Sequence, residues 1–211
     1  MKLIHGDCLE EMKKLEDKSI DIIFTDPPYG VSFKKTGEPY MVGDTVNLLP
    51  SVMPEFRRIL KDDGAIYLWS ATTMLQQNLT LFMTYFKLHN IVIWDKINGV
   101  YPHSNAHYKL QYEPILYGSK GLHYLDKVKC GDVISVKKPL GKKRVHPTQK
   151  PFEVIEELLI PIINKSKKIV LDPFMGSGTV GVACKKLGLS FIGIELEKEY
   201  IDIAKARINH A

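Results

Sequence analysis

The alternation of short apolar strands with amphipathic helical stripes is the feature that most limits how this chain can fold. Seven runs rich in β-branched and other apolar residues predict strands at 2–5, 20–25, 65–69, 90–95, 113–117, 168–171 and 190–195. Helical stripes of apolar residues lie between several of them, at 74–86, 152–162 and 180–187. Nearly continuous apolar strands that alternate with helices indicate an α/β fold, with a mostly parallel sheet and helices on both faces.

The length and composition favour one ordinary globular domain over residues 1–211. With 45% hydrophobic and 25% charged residues, the chain is neither a disordered nor a fibrous protein. No apolar run approaches the roughly 20 residues of a membrane helix, and the N-terminus lacks the apolar stretch of a signal peptide. Cys8, Cys130 and Cys184 have no C-x-x-C spacing, which is typical of free thiols in a reducing compartment. We therefore expect a cytoplasmic protein with no membrane attachment.

One segment interrupts the alternation and carries most of the positive charge. Residues 97–145 are polar and rich in His, Tyr and Gly, apart from an apolar run near Ile115, and are interpreted as a small insertion. Between 120 and 150 the sequence has nine basic residues against two acidic ones, whereas the whole chain has a net charge of +5. Such a local surplus of positive charge is expected in a protein that binds the phosphate backbone of a nucleic acid. A solvated loop that only keeps the protein soluble is the alternative.

A nucleotide-binding pattern follows the predicted strand 168–171. Gly176-Ser177-Gly178-Thr179-Val180-Gly181 matches G-x-G-x-x-G at the start of a helical stripe, and Glu195 follows at the end of the next strand. A carboxylate at that position accepts hydrogen bonds from a ribose diol. Too little sequence remains after Glu195 for a dinucleotide fold, and Asp172 makes the pocket acidic. A ribose-bearing ligand with a cationic centre, such as S-adenosylmethionine, fits better than NAD.

The tetrapeptide Asp26-Pro27-Pro28-Tyr29 directly follows the predicted strand 20–25. Loops at the carboxyl ends of strands carry the chemistry in open α/β sheets. The prolines fix the backbone and remove two N–H donors, so that Asp26 and the Pro27 carbonyl can accept both hydrogens of an aromatic amine. Tyr29 offers a flat face for stacking on an extruded base. The motif predicts chemistry on adenine N6 or cytosine N4.

These motifs resemble the β class of amino-group DNA methyltransferases. The catalytic tetrapeptide comes first, followed by a recognition segment, then His146-Pro147-Thr148-Gln149-Lys150-Pro151, and finally the cofactor motif. Gly6-Asp7-Cys8-Leu9 also resembles that class. The likeness covers essentially the whole chain and implies a Rossmann-like methyltransferase sheet with a circularly permuted motif order. It also implies that 97–145 is a small target-recognition insertion.

The resemblance implies a role for each motif residue. The target amine would be held by Asp26, Pro27, Pro28 and Tyr29. The S-adenosylmethionine site would comprise Asp7 and Cys8 beside the adenine, Glu195 at the ribose, Asp26, and the methionine-side residues Asp172, Phe174, Gly176, Gly178 and Thr179. Thr148 and Lys150 would lie near the methionine end or orient the adjacent loop.

The expected macromolecular partner is duplex DNA. Residues 31–44 are a candidate lid over the flipped base. The predicted DNA contacts are Lys34, Lys35, His107, Lys109, Lys142, Lys143 and Arg144. A homodimer and a cognate restriction enzyme are further expectations. No metal site is predicted, because His103 and His107 have no partner ligand at a suitable spacing.

The residues leave several functions open. Direct transfer to adenine N6 of a flipped base is the preferred hypothesis, and methylation of cytosine N4 needs the same amine chemistry. An RNA or protein-amide methyltransferase remains open, because the tetrapeptide recognises an amine and not a polymer. A catalytically inactive nucleic-acid-binding module and an NAD oxidoreductase are the more distant alternatives.

Overall fold

The computed structural model describes residues 1–29, 46–100, 108–126, 131–138, 150–162 and 168–211. The strands are β1 (Lys2–His5), β2 (Ile20–Thr25), β3 (Leu60–Trp69), β4 (Lys87–Val100), β5 (Leu110–Ser119), β6 (Val133–Ser135), β7 (Ile169–Asp172) and β8 (Ser190–Glu195). They form one eight-stranded sheet in the order β1-β8-β7-β2-β3-β5-β4-β6. The strands β1, β8, β7, β2 and β3 are parallel to their neighbours in that series, which confirms the predicted mostly parallel sheet.

Helices cover both faces of the sheet, as the apolar stripes predict. They are α1 (Cys8–Met12), α2 (Leu49–Ile59), α3 (Leu75–Tyr85), α4 (Phe152–Leu159), α5 (Thr179–Lys186) and α6 (Lys198–Asn209), with 3-10 turns at Thr72–Met74 and Ile160–Ile162. Buried side chains of α4, α5 and α6 form one core cluster with the sheet. Those of α1, α2 and α3 form the other. Each fully buried aliphatic or aromatic side chain contributes about 1.5–3 kcal/mol of transfer free energy.

The strand order creates a crevice between β2 and β7. These neighbouring strands run parallel, with Ile22 opposite Val170 and Ile23 opposite Leu171. The chain leaves β2 towards β3 on one side and leaves β7 towards β8 on the other. Connections that depart in opposite directions leave an opening at the carboxyl ends of the two strands, where α/β proteins bind ligands. The catalytic tetrapeptide and the glycine motif both begin at this opening.

The segment 97–145 is more closely joined to the sheet than its composition suggests. Strand β5 lies inside the sheet, antiparallel to both β3 and β4. The strand β6, which the sequence does not predict, pairs with β4 at the edge. Because Trp69 at the end of β3 lies opposite Ile115, the β4–β5 hairpin extends past β3 on the side of the crevice. Among the described residues, none of the helices is long and apolar enough to cross a membrane.

Candidate active site at the carboxyl ends of the central strands

Asp172 ends β7 inside the crevice and is almost completely buried, with 4% of its surface exposed. Its Oδ1 accepts hydrogen bonds from Thr25 Oγ1 at 2.9 Å and from Phe174 N at 3.1 Å. Burial raises the pKa of Asp172 to about 7, against the lowering effect of these two bonds. Its Oδ2 accepts no hydrogen bond from the residues that the structure describes.

The glycine motif forms the turn between β7 and α5. Gly176 and Gly178 have φ values of +50° and +78°, in the left-handed region that favours glycine. The Gly176 N–H donates to Glu195 Oε2 at 2.8 Å, and the other oxygen of Glu195 accepts from Glu197 N at 2.9 Å. The carboxylate of Glu195 is thus fixed beside the turn, and its remaining lone pairs can accept from a ribose diol. Burial raises the pKa of Glu195.

A residue of α6 holds the same turn from the opposite side. Arg207 Nη1 donates to the Ser177 carbonyl oxygen at 2.6 Å, to Ser177 Oγ at 2.8 Å and to Thr179 Oγ1 at 3.3 Å. Burial lowers the pKa of Arg207. Thr179, predicted as a cofactor contact, is therefore bonded towards α6. Its role at the cofactor stays a prediction.

The tetrapeptide begins where β2 ends, and its acid is held from two sides. The Tyr29 hydroxyl donates to Asp26 Oδ1 at 2.6 Å, and Lys150 Nζ lies 3.0 Å from Asp26 Oδ2. Pro27 is buried, which anchors the loop beneath these groups. Tyr29 also pairs with Asn47 in an isolated antiparallel bridge. The predicted lid at 31–44 lies outside the described residues.

Lys150 belongs to a partly buried row of alternating charges. Its Nζ lies 2.7 Å from Glu113 Oε2, and Lys96 Nζ lies 3.2 Å from Glu113 Oε1. Burial disfavours the charge on Lys150, but the carboxylates of Asp26 and Glu113 raise its pKa above the ordinary value. Burial likewise disfavours the charge on Glu113, but the two lysines lower its pKa to about 2. These contacts place Lys150 beside the tetrapeptide, and its predicted role, near the methionine end of the cofactor or in orienting the adjacent loop, stays a prediction.

The N-terminal motif lies beside the crevice at the end of β1. Gly6 N donates to the Glu195 carbonyl oxygen at 3.0 Å. Asp7 caps α1 by accepting from Leu9 N and Glu10 N at 2.9 and 3.1 Å. Cys8 is buried, and burial together with the charge of Asp7 raises its pKa to about 12, so it remains a thiol. The structure thus gives Asp7 a helix-capping role, and its predicted role at the adenine stays a prediction.

The described residues fit a ligand that combines a ribose with a positive charge. Asp172 and Glu195 place two carboxylates on either side of the glycine turn, while residues 173–181 contain no lysine or arginine that would bind a phosphate. Asp172, Phe174, Gly176, Gly178 and Glu195 would hold such a ligand.

The predicted DNA-binding residues are only partly described. Lys109 lies at the crevice end of the β4–β5 hairpin, with its Nζ 3.4 Å from the Ile97 carbonyl oxygen. Lys34, Lys35, His107, Lys142, Lys143 and Arg144 lie outside the described residues, as does Thr148 of the cofactor set. No cluster of metal-binding side chains occurs in the ranges that the structure describes.

Three described residues that contact the site are not predicted from the sequence. Thr25 and Arg207 are hydrogen-bonded to the cofactor motif, and Glu113 is ion-paired with Lys150. A signal exists for Glu113, because an acid directly precedes the apolar run 114–117. Arg207 follows a buried helical position by three residues, which also indicates a residue near the core. Thr25 carries no such signal, because its contact depends on the pairing of β2 with β7.

The chain belongs to the family of N6-adenine and N4-cytosine DNA methyltransferases. The sequence model of this DNA methylase family matches residues 20–131 and 125–206. The "Type II methyltransferase M.HinfI" of Haemophilus influenzae is 31% identical, and the alignment covers 98% of this chain and 67% of that protein. The "DNA adenine methyltransferase YhdJ" of Escherichia coli (strain K12) is also 31% identical, with 99% of this chain and 83% of that protein covered.

Solved structures show the same fold. The crystal structure of the M1.HpyAVI–SAM complex superimposes with a TM-score of 0.79 at 29% identity, covering 99% of this chain and 98% of that one. The cytosine-N4-specific PvuII DNA methyltransferase also gives a TM-score of 0.79, at 18% identity, covering 97% of this chain and 85% of that one. The second likeness concerns the fold alone.

Proposed function

We propose that this protein transfers a methyl group from S-adenosylmethionine to N6 of adenine in duplex DNA. The observation that carries the proposal is the meeting of two motifs at one crevice, where Thr25 of β2 donates to Asp172 of β7 and Asp26 follows directly. Family membership supports DNA as the substrate. Adenine is favoured because a relative named as a DNA adenine methyltransferase is 31% identical over almost the whole chain.

The cofactor supplies an electrophilic methyl group on a sulfonium. On the protein side, Glu195 would accept hydrogen bonds from its ribose, and Asp172 Oδ2 would bind its positively charged end. The glycine turn between these acids allows close approach of the backbone. The M1.HpyAVI–SAM complex, 29% identical to this chain, supports the choice of cofactor.

The catalytic loop would orient the target amine. An adenine flipped out of the duplex would stack on Tyr29, and its amino group would donate to Asp26 and to the Pro27 carbonyl oxygen. Accepting both N–H bonds would make the nitrogen lone pair available for in-line attack on the methyl carbon. The carbon–sulfur bond would break as the carbon–nitrogen bond forms, with S-adenosylhomocysteine as the leaving group. The Asp26 carboxylate would stabilise the positive charge that develops on the amine, and N6 would then lose one proton to solvent. Orientation within the crevice would contribute much of the rate.

The β4–β5 hairpin would contact the DNA next to the flipped base. Its crevice end carries exposed apolar side chains, with Tyr108 96% and Tyr112 46% exposed. Lys109 lies between them in sequence and would contact phosphate. Large exposed aromatic side chains on a monomer are typical of interaction sites.

Three further parts of the proposal rest on the sequence. The small recognition segment favours a homodimer that shares the DNA, and light scattering with and without duplex would measure this assembly. A cognate restriction enzyme would recognise the same DNA site. A cytoplasmic location would give the protein access to both its cofactor and DNA.

The test is transfer of labelled methyl groups from S-adenosylmethionine to unmethylated duplex DNA, followed by separation of the product nucleosides. We expect label in N6-methyladenine. Label in N4-methylcytosine would retain the mechanism and overturn the base assignment. Label in RNA or protein but not in DNA would overturn the proposed substrate.

A further inference from the structure

The carboxylate of Asp26 has two partners that differ in how firmly they are held. Tyr29 belongs to the same loop and is partly exposed at the crevice. Lys150 approaches from the segment before α4, and only 15% of its side chain is exposed. An amine that donates to Asp26 needs a lone pair there, so one partner must yield or share an oxygen. In the proposed function Tyr29 stacks on the base, so it is the partner that would share its oxygen of Asp26 with the amine.

Lys150 is fixed by contacts that do not involve the catalytic loop. Its Nζ is 2.7 Å from Glu113 Oε2 and lies 4.7 Å from the centre of the Trp69 ring. Trp69 is buried at the end of β3 and packs edge-on against Trp94 of β4. Cation–π contact and ion pairing both favour the charged ammonium at this one place. Lys150 therefore presents a fixed positive charge to Asp26.

Glu113 is itself fixed by the sheet. Its backbone lies in β5, where it is opposite Trp94 of β4. Its second carboxylate oxygen is paired with Lys96 at 3.2 Å, and the Lys96 side chain is only 11% exposed. The charges thus alternate from the sheet interior to the catalytic loop, in the order Lys96, Glu113, Lys150 and Asp26.

We propose that Glu113 is a positioning residue for methyl transfer, which acts by holding Lys150 against Asp26. This inference rests on the proposed function, because it assumes that Asp26 binds the target amine. Lys96 fixes Glu113 from the other side. Among the described residues, the ion pairs of Glu113 are with Lys96 and Lys150, so we expect its effect on the reaction to pass through Lys150.

The test is a double-mutant cycle of Glu113→Gln and Lys150→Met in the full chain. Single-turnover rates of methyl transfer would be measured with saturating S-adenosylmethionine and a long, amplified, unmethylated duplex. We expect each single variant to lower the rate by about 100-fold, the scale of a displacement of about 1 Å. The double variant should be no slower than Lys150→Met, because Glu113 acts through Lys150. The dissociation constant of S-adenosylmethionine should change by less than about twofold.

Several results would overturn the inference. A Glu113→Gln rate within about twofold of the wild type would do so, as would full additivity of the two losses in the double variant. Weaker cofactor binding at an unchanged rate would assign Glu113 to the cofactor pocket instead. Glu153→Gln, which removes an exposed carboxylate from α4, is the matched control and should keep the wild-type rate.

A second variant keeps the test valid if Glu113→Gln does not fold. Glu113→Asp retains the charge but retracts the carboxylate by one methylene, and its rate should fall by about tenfold. An unchanged rate in this folded variant would overturn the inference. The wild-type reaction separates the two proposals. If the wild type does not methylate DNA at all, the proposed function is contradicted. If the wild type is active and the Glu113 variant is equally active, only the positioning role is contradicted.

Discussion

Asp172 makes the stability of the protein depend on pH. It is buried at the end of β7, and burial raises the pKa of its carboxyl to about 7. The folded protein therefore binds a proton here more tightly than the unfolded chain, in which an aspartate has a pKa of about 3.9. This group stabilises the fold at low pH, and its contribution is lost as the pH rises from about 4 to about 7.

Replacement of Asp172 by Asn should therefore stabilise the cofactor-free protein more at pH 8 than at pH 5. The amide keeps an oxygen that accepts from Thr25 and Phe174, yet it never has to carry a buried charge. We expect a gain on the order of 1–3 kcal/mol in the free energy of unfolding at pH 8. Urea unfolding at the two pH values measures it, and equal effects at both would contradict the assignment.

The same residue predicts the pH dependence of cofactor binding. Only the ionised carboxylate attracts the positive end of S-adenosylmethionine, so the affinity should weaken as the pH falls below about 7. Calorimetric titration from pH 5.5 to 8.5 would show about a tenfold loss per pH unit below the pKa. The Asp172→Asn variant should bind weakly at every pH, and a wild-type affinity that did not vary with pH would contradict this account.

At the scale of elements, α6 stabilises the glycine turn between β7 and α5. Its contacts with the turn are on the side away from the proposed ligand. Arg207 donates to Ser177 and Thr179, and Gly178 packs so closely on α6 that an added Cβ would lie 2.8 Å from Ala204 Cβ. The turn between β7 and α5 thus depends on a helix at the other end of the C-terminal βα unit. The lack of a side chain at Gly178 allows this close contact, and its positive φ separately favours glycine at this position.

Arg207→Met should weaken cofactor binding while leaving the maximal rate of methyl transfer largely unchanged. The substitution keeps much of the apolar stem but removes charge-assisted hydrogen bonds, each of which contributes about 1.5–3 kcal/mol. We expect the dissociation constant of S-adenosylmethionine to rise by about tenfold. Calorimetry measures the change against Lys205→Met, an exposed α6 position that should have no effect. Equal affinity of the two variants would exclude a role for the Arg207 contacts.

The elements that periodicity predicts are those with long apolar patterns. The bounds of β2 and β8 agree with prediction because both strands lie within the parallel sheet. The three residues of β6 have too short a pattern to stand out, and their pairing with β4 is a tertiary effect. The strands β3, β4 and β5 are longer than predicted. Their ends contain charged and polar residues that interrupt the apolar pattern, and hydrogen bonding to neighbouring strands extends the strands through these residues.

At the scale of the whole molecule, the order of the strands brings distant motifs together. Asp26 and Asp172 are predicted from local patterns. Each directly follows a predicted strand, so both are expected at the carboxyl ends of strands, where α/β proteins bind ligands. The contact of Lys150 with Asp26 and Glu113 joins three segments that are far apart in sequence. Local sequence patterns contain no information about such a contact, which depends on the position of β5 between β3 and β4.

The uneven charge predicts how DNA binding depends on salt. Replacing Lys142, Lys143 and Arg144 together by Ser removes three charges from the basic segment. We expect the slope of log affinity against log salt concentration to become shallower by about 2–3, since each neutralised phosphate contributes about 0.9. Fluorescence anisotropy with a labelled duplex measures the slope. A triple substitution of Lys13, Lys14 and Lys198, which are exposed elsewhere, should change it less, and an equal change would contradict the assignment.

The central claim is that Asp26 holds the target amine beside the cofactor, and Asp26→Ala tests it most directly. The substitution leaves Lys150 paired with Glu113, so the fold should persist. Labelled methyl transfer to unmethylated duplex DNA should fall by at least about 100-fold, while the affinity for S-adenosylmethionine stays within about threefold of the wild type. A variant that still methylates adenine at the wild-type rate would contradict the account.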